Sequence, residues 1–220
     1  VLKAIVFDFD GTLIESADIK TRAFASLFAA FPDHLDQIVE FHLKNAGVSR
    51  FEKFRIIYKD FLKLPLSSEE ETRLGESFLR LVEDPIMRCP LVLGVEGFLR
   101  VVGGRYRCFI ASGTPELELC DLVDRRGLSK FFKGAHGAPA SKMEILADIQ
   151  AREGVRPQEM LCIGDALSDQ QAAAAAGVPF IGRLHKTQPH LYPPGSTVAL
   201  FEDFVQLNRG WPRILACLET

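Results

Sequence analysis

The sequence predicts an α/β protein: a doubly wound parallel sheet with an all-helical segment inserted after its first strand. Three observations predict it. Strand-sized apolar runs stand at 2–7, 106–111, 131–134, 160–163 and 178–182, with a short edge candidate at 197–200. Helical patterns at 95–102, 115–126, 142–153 and 170–176 alternate with the later runs. Between the first two runs lies a long stretch, about Glu15 to Asp84, with helical spacing and no strand alternation.

Taken in order, the first run is Leu2 to Phe7, short and apolar enough for a buried strand. The insert then carries stripes of Phe24, Leu27, Phe28 and Phe31, of Leu35, Ile38, Val39 and His42, of Phe51, Phe54, Ile57, Tyr58 and Phe61, and of Leu74, Phe78, Leu81 and Val82. Four such amphipathic helices can close into a small bundle. His42 on its stripe reads as a packed, hydrogen-bonded side chain. The segment from Asp84 to Pro90, with two prolines, reads as the return hinge. The expected domains are therefore an α/β core over 1–14 and 85–220 and a helical cap over 15–84. In the core, Gly127, Gly154 and Gly177 each follow a helical pattern, where a C-terminal stop belongs. The tail from Phe201 to Thr220 reads as helical packing, and Trp211-Pro212 carries no chemical reading.

Composition narrows the function classes. The net charge of −3 gives no whole-chain case for nucleic acid or a membrane surface. No apolar run approaches the roughly 18 residues that span a bilayer. No signal-peptide pattern precedes the first acids. The five cysteines lack metal-ligand spacing, and Cys108 and Cys162 sit in strand-like runs as core thiols. The expectation is a cytoplasmic protein without disulfides or zinc.

The chemistry begins at Asp8-Phe9-Asp10-Gly11-Thr12-Leu13. Two carboxylates straight after a strand leave the sheet at its carboxyl edge, where open α/β sheets place ligands. Acids this close repel each other and suit a hard divalent cation such as Mg²⁺. Three further elements follow. Cys108 to Ala111 leads into Ser112-Gly113-Thr114. Ser141-Lys142-Met143-Glu144 has the form of a capping box, so Lys142 opens a helix. A cation is disfavoured at that end of a helix, which argues for a functional reason. Met160 to Ile163 leads into Gly164-Asp165, with Asp169 four residues on.

This set resembles the haloacid dehalogenase-like superfamily of hydrolases, in its phosphatase branch. The resemblance covers Val1 to about Ile14 and about Pro85 to Arg183. It implies a covering lid for the insert and assigns roles to the matching residues. Asp8 would be the nucleophile that forms an aspartyl-phosphate, and Asp10 the general acid and then base. Asp8, Asp10 through its carbonyl, Asp165 and Asp169 would hold Mg²⁺, with an N-cap role as the alternative for Asp169. Lys142 would neutralise Asp8 and the phosphoryl group, and Ser112 with the Gly113 N–H would bind phosphoryl oxygens. Thr114 and Pro115 read as helix cap and first helical residue.

The insert adds Gly47-Val48-Ser49-Arg50, which resembles the specificity segment of β-phosphoglucomutases, a capped branch of the superfamily. Ser49 would cap a helix with Glu52. Arg50, flanked by Lys53, would grip a second anionic group of the substrate, or else pair with Glu52 or Asp60. Arg55, Lys59 and Lys63 read as solvated. Leu184 to Gly195, with His185 and His190, reads as a loop either beside the site or merely connecting.

The expected function is Mg²⁺-dependent hydrolysis of a small phosphorylated metabolite, of the phosphoglycolate or sugar-phosphate kind. The rivals are a phosphomutase and a non-catalytic binding protein. Neither a nucleic-acid nor a membrane partner is expected, and the oligomeric state is not legible.

Overall fold

The computed structural model describes residues 1–185 and 192–218. Its six described strands are β1 (Ala4–Phe7), β2 (Arg107–Pro115), β3 (Gly134–Ala138), β4 (Met160–Gly164), β5 (Phe180–Arg183) and β6 (Ala199–Phe201). They form one sheet in the order β3-β2-β1-β4-β5-β6, and every pairing is parallel. The chain winds outward from β1 in one direction, then returns to β4 and winds the other way. The order therefore reverses between β1 and β4, which creates a crevice at their carboxyl ends.

Period-two alternation along β1 divides the core. Ile5 and Phe7 face one layer, with α5 (Val95–Gly103), α6 (Glu116–Arg125) and α9 (Phe204–Leu218). Ala4 and Val6 face the other, with α7 (Lys142–Glu153) and α8 (Leu167–Ala175). Because both faces are covered, the strands read as continuous apolar runs. Cys108 and Cys162 are buried within them.

The insert holds α1 (Ala17–Leu27), α2 (Leu35–Lys44), α3 (Arg50–Ile56) and α4 (Ser68–Arg88). A π-helical turn, Ile57–Leu62, continues α3. The predicted stripes meet in an aromatic cluster. Phe24 lies 5.7 Å from Phe54, 5.2 Å from Phe78 and 4.2 Å from the His42 ring, between centroids. Leu81 departs from its stripe and is 41% exposed. The outgoing and returning chains run side by side, with Ile14 bridged to Leu91 and the Val92 N–H donating to the Leu13 carbonyl.

Several element boundaries shift by a few residues from the sequence reading, and four of the shifts bear on the site or the insert. β3 starts three residues late, because its sequence, Gly-Ala-His-Gly-Ala, has no apolar run. Small residues are needed there: a Cβ on Gly137 would lie 2.2 Å from the Thr114 carbonyl. β2 extends through Thr114 and Pro115, so α6 begins one residue later and Thr114 is no cap. α8 begins at Leu167, which places Asp169 in its first turn rather than at the N-cap. Helix α4 runs unbroken through Pro85 to Arg88, so most of the expected hinge is helical. Pro85 is tolerated one turn from that end because Leu81, whose carbonyl it leaves unbonded, lies on the solvent side.

Candidate active site

Asp8, Asp10 and Asp165 follow the carboxyl ends of strands at the crevice, and Asp169 reaches it from the first turn of α8. Asp8 follows β1, and its N–H donates to the Ile163 carbonyl of β4 at 2.8 Å. Asp165 follows β4. Gly11 has φ of +79°, and a Cβ there would lie 2.2 Å from Asp165 Oδ2, so only glycine lets the two loops meet. Ligand oxygens of Asp8, Asp165 and Asp169 lie within 4.8 Å of one another. Asp8 and Asp169 are each 6% exposed.

Among the described residues one ammonium serves this cluster. Lys142 Nζ donates to Asp8 Oδ1 at 2.6 Å and to Asp169 Oδ1. The Ser141–Glu144 capping box is formed in both directions, and it fixes the helix start that aims Lys142 inward. Asp169 also accepts from the Ala166 N–H at 3.0 Å, so one carboxylate both ends the loop and faces the site. Burial would lower the Lys142 amine, but Asp169 and Asp8 outweigh it and hold it charged. One ammonium against three acids leaves excess negative charge. Burial, only partly offset by Lys142, together with Asp169, Asp165 and Asp10, therefore pushes the Asp8 carboxyl well above its ordinary range. Asp169 is raised for the same reasons, burial first. Crowded, buried, all-oxygen donors with unspent charge fit a hard divalent cation.

Asp10 belongs to a different network. Its carboxylate turns away from the acids and accepts from Lys20 Nζ at 2.5 Å, Ser16 Oγ at 2.9 Å and Thr114 Oγ1 at 3.0 Å. Burial alone would raise it, but Lys20, then Ser16 and Thr114, outweigh burial and hold it below the usual carboxylate range. The Asp10 carboxylate is thus not among the clustered acids. Ser112 is buried, and its Oγ accepts from the Thr114 N–H at 3.1 Å, which leaves its own proton free to donate. Gly113 lies against the insert: a Cβ there would be 2.3 Å from the Gly47 carbonyl.

A family model for haloacid dehalogenase-like hydrolases matches residues 2–177. The chain belongs to that family. It is an enzyme, a hydrolase of the phosphatase branch. It is 30% identical over 181 residues to the phosphoglycolate phosphatase of Synechococcus elongatus, covering 80% of this chain and 81% of that one. Solved structures of similar fold include CbbY from Rhodobacter sphaeroides in complex with phosphate (TM-score 0.74, 18% identity, 94% and 96% of the two chains). Another is the hydrolase YfnB from Bacillus subtilis bound to magnesium (TM-score 0.68, 16% identity, 94% and 97%).

The insert closes the site of this hydrolase from above. A cavity of about 90 Å³ lies between Asp8, Asp10, Ser112 and Gly113 below and His42, Arg50 and Lys53 above. Both insert cations predicted from sequence reach it, but in different states. Arg50 pairs with neither Glu52 nor Asp60. It makes a two-pronged pair with Glu118 of α6, at 2.7 and 2.5 Å. Ser49 does stand before α3, yet its side chain makes no capping bond. Lys53 is 3% exposed, and no carboxylate lies within ion-pair distance of it among the described residues. Its Nζ donates to His42 Nδ1 at 3.3 Å and lies 5.4 Å from the Phe24 ring. Burial, then Lys20 and Lys142, pull the Lys53 amine down to about 7. Burial, then Lys53 and Lys20, take His42 down to about 2, so His42 is a neutral acceptor.

Several residues at the site were missed or left open by the sequence reading. Lys20 and Glu118 stand on ordinary helices with no local pattern to mark them. Thr114 was obscured by the Pro after it, which suggested a helix start. His185, left open between site and connection, lies with Nε2 2.7 Å from Asp165 Oδ2. Arg183 is buried, pairs with Glu15 at 2.6 Å and donates to the Gly11 carbonyl, bracing the Asp8–Gly11 turn. His190 lies outside the described residues. Arg55 is paired with Glu71 at 2.6 Å rather than simply solvated. Among the described residues, no helix is long and apolar enough to cross a membrane.

Proposed function

We propose that this hydrolase is a Mg²⁺-dependent phosphatase that acts on a small phosphorylated carboxylic acid through a phospho-Asp8 intermediate. The observation that carries the reading is the cluster of Asp8, Asp165 and Asp169 at the mouth of the crevice, with the Lys142 amine paired to Asp8 and Asp169. Asp8, Asp165 and Asp169 would hold Mg²⁺, with the Asp10 backbone carbonyl as a further oxygen donor. Bound there, the ion would offset the charge of the acids and of the phosphoryl oxygens. A relative solved with magnesium shares the fold.

Asp8 attacks phosphorus, and the bond to the leaving oxygen breaks as the aspartyl-phosphate forms. Lys142 and the Ser112 hydroxyl stabilise the phosphoryl oxygens, with the Gly113 N–H beside them. Asp10 gives a proton to the leaving oxygen. It then takes one from the water that attacks the aspartyl-phosphate, which restores both Asp10 and Asp8. Asp10 enters the cycle protonated; Lys20, Ser16 and Thr114 fix its position and stabilise the carboxylate left once that proton has gone, the form that takes the next proton from water. The insert serves as the cap that keeps bulk water out.

Two observations support the substrate class. The cavity between the acids and the insert is small, about 90 Å³, which suits a short ligand. Its far wall carries Lys53, a buried cation with no acid partner among the described residues, and such a charge calls for an anion from the ligand. A short acid with phosphate at one end and carboxylate at the other satisfies both. Phosphoglycolate, named for the Synechococcus relative, is of that kind. The mutase alternative needs Arg50 free for a distal phosphate, whereas Arg50 is taken by Glu118.

The test is phosphate release from phosphoglycolate, ethyl phosphate, glucose 6-phosphate and AMP, with Mg²⁺ and with chelator. The expected result is Mg²⁺-dependent release, fastest from phosphoglycolate. Isomerised sugar phosphate without free phosphate would favour the mutase instead.

A further inference from the structure

A second cavity lies directly behind the first. It has about 280 Å³, and its walls are mostly apolar, among them Phe78, Val82 and Ile86 of α4 and Leu122 of α6. The two cavities share four lining residues: Lys20, Arg50, Phe78 and Thr114. Glu118 lines only the second. The Arg50–Glu118 pair thus stands in the partition between them.

That partition joins two elements that are otherwise separate in sequence. Arg50 opens α3 of the insert, and Glu118 lies in the first turn of α6, just past the Ser112–Thr114 loop. The Arg50 guanidinium packs 5.0 Å from the Phe51 ring and 5.4 Å from the Phe78 ring. Its Nε is buried without a hydrogen-bond partner. Glu118 is the less buried member, with its side chain 24% exposed. The wall therefore depends on one carboxylate on the rim of α6. The second cavity also reaches solvent, since Leu117 lines it and is 87% exposed.

We propose that Glu118, through its pair with Arg50, is a specificity-determining residue that limits the length of the leaving group. With the pair closed, an ester ends at the Lys53 wall. With it opened, the leaving group extends into the apolar cavity, so phosphate monoesters with a small apolar or aromatic group become ligands. The apolar space exceeds the roughly 150 Å³ that accommodates a benzene ring. This inference rests on the phosphatase reading for the position of the phosphoryl group.

The test compares binding of methyl phosphate and phenyl phosphate with Mg²⁺ by calorimetry, in an Asp8→Asn background so that no turnover intervenes. Glu118→Ala should tighten phenyl phosphate over methyl phosphate by about tenfold relative to the intact Glu118. Glu118→Gln, which keeps the bulk and loses the charge, should give a smaller rise in the same direction. Equal shifts for both esters would mean that the pair only braces the insert, and would overturn the proposal. An unchanged ratio in Glu118→Ala would overturn it too. Failure of both esters to bind any form would overturn the inference together with the placement of the phosphoryl group. Esters that bind as expected while the Asp8 enzyme releases no phosphate would overturn the phosphatase reading alone.

Discussion

Replacing Lys53 by Met should make the free protein more stable and a worse enzyme. Lys53 is almost fully buried, and among the described residues its close polar contacts are His42 Nδ1 at 3.3 Å and the His42 carbonyl at 3.5 Å. Its amine falls from 10.5 to about 7, burial being the first cause and Lys20 and Lys142 the next. Each pH unit of displacement corresponds to about 1.4 kcal/mol, so the charged side chain costs the fold roughly 4–5 kcal/mol. Met is similar in length and carries no charge, but it leaves His42 Nδ1 without its donor, at a cost of ~1 kcal/mol. The net gain should be a few kcal/mol. Its pH dependence has a definite sign. Below pH 7 the amine is charged in both folded and unfolded chains, so the penalty is whole and the variant gains most. Between about 7 and 10.5 the unfolded chain holds the proton and the folded one does not. Stability of the parent protein then rises with pH, and the advantage of the variant shrinks. Urea unfolding at pH 6 and pH 9.5 measures it. In activity, kcat/KM for phosphoglycolate should fall by 10- to 100-fold, with little change for ethyl phosphate. In the parent enzyme the same preference should weaken above about pH 7, as the free amine deprotonates. A variant that is less stable at pH 6, or that loses both esters equally, would refute the assignment of an unbalanced cation awaiting a carboxylate.

Three further outcomes follow from the same geometry. Lys142→Met should destabilise the protein by about 3–5 kcal/mol at neutral pH, since it strips Asp8 and Asp169 of the one amine that pairs them among the described residues. The loss should shrink toward pH 5 in urea unfolding, because carboxyls raised in the fold take up protons there and stability then increases as pH falls. Saturating Mg²⁺ should raise the melting temperature by about 5–10 °C, as binding at a hundredfold excess over Kd supplies about 2.7 kcal/mol, and Asp165→Asn should abolish that rise. Gly113→Ala should leave circular dichroism unchanged yet lower kcat/KM by roughly a hundredfold. Its Cβ would lie 2.3 Å from the Gly47 carbonyl and would push the insert off the site.

The α/β alternation was legible because both sheet faces are covered and the strands are apolar throughout. The gap was β3, whose glycines and alanines answer to a close approach by Thr114 and Glu116 that no local pattern reveals. The same rule divides the site. Asp8, Asp10, Lys142, Asp165 and Asp169 stand just past the ends of strands or in the first turns of helices, and Ser112 follows the apolar run of β2, so sequence order alone places them at one edge. The structure brings Asp8, Lys142, Asp165 and Asp169 together and sets Asp10 beside Lys20. Lys20 and Glu118 act across 94 and 68 residues of the chain, and their positions follow only from how the insert folds back, whereas His185 meets Asp165 past the ends of the neighbouring strands β5 and β4. Arg50 was legible as unusual for its place, but its partner on α6 was not, because nothing in the sequence relates α3 to α6.

The most direct measurement is a quench of the enzyme during turnover of phosphoglycolate with Mg²⁺, followed by mass analysis of the peptide that carries Asp8. The account predicts a phosphoryl adduct on Asp8 that rises and decays with phosphate release and is absent in chelator and in Asp8→Asn. Phosphate released at full rate by Asp8→Asn, or an adduct on any other residue, would contradict it.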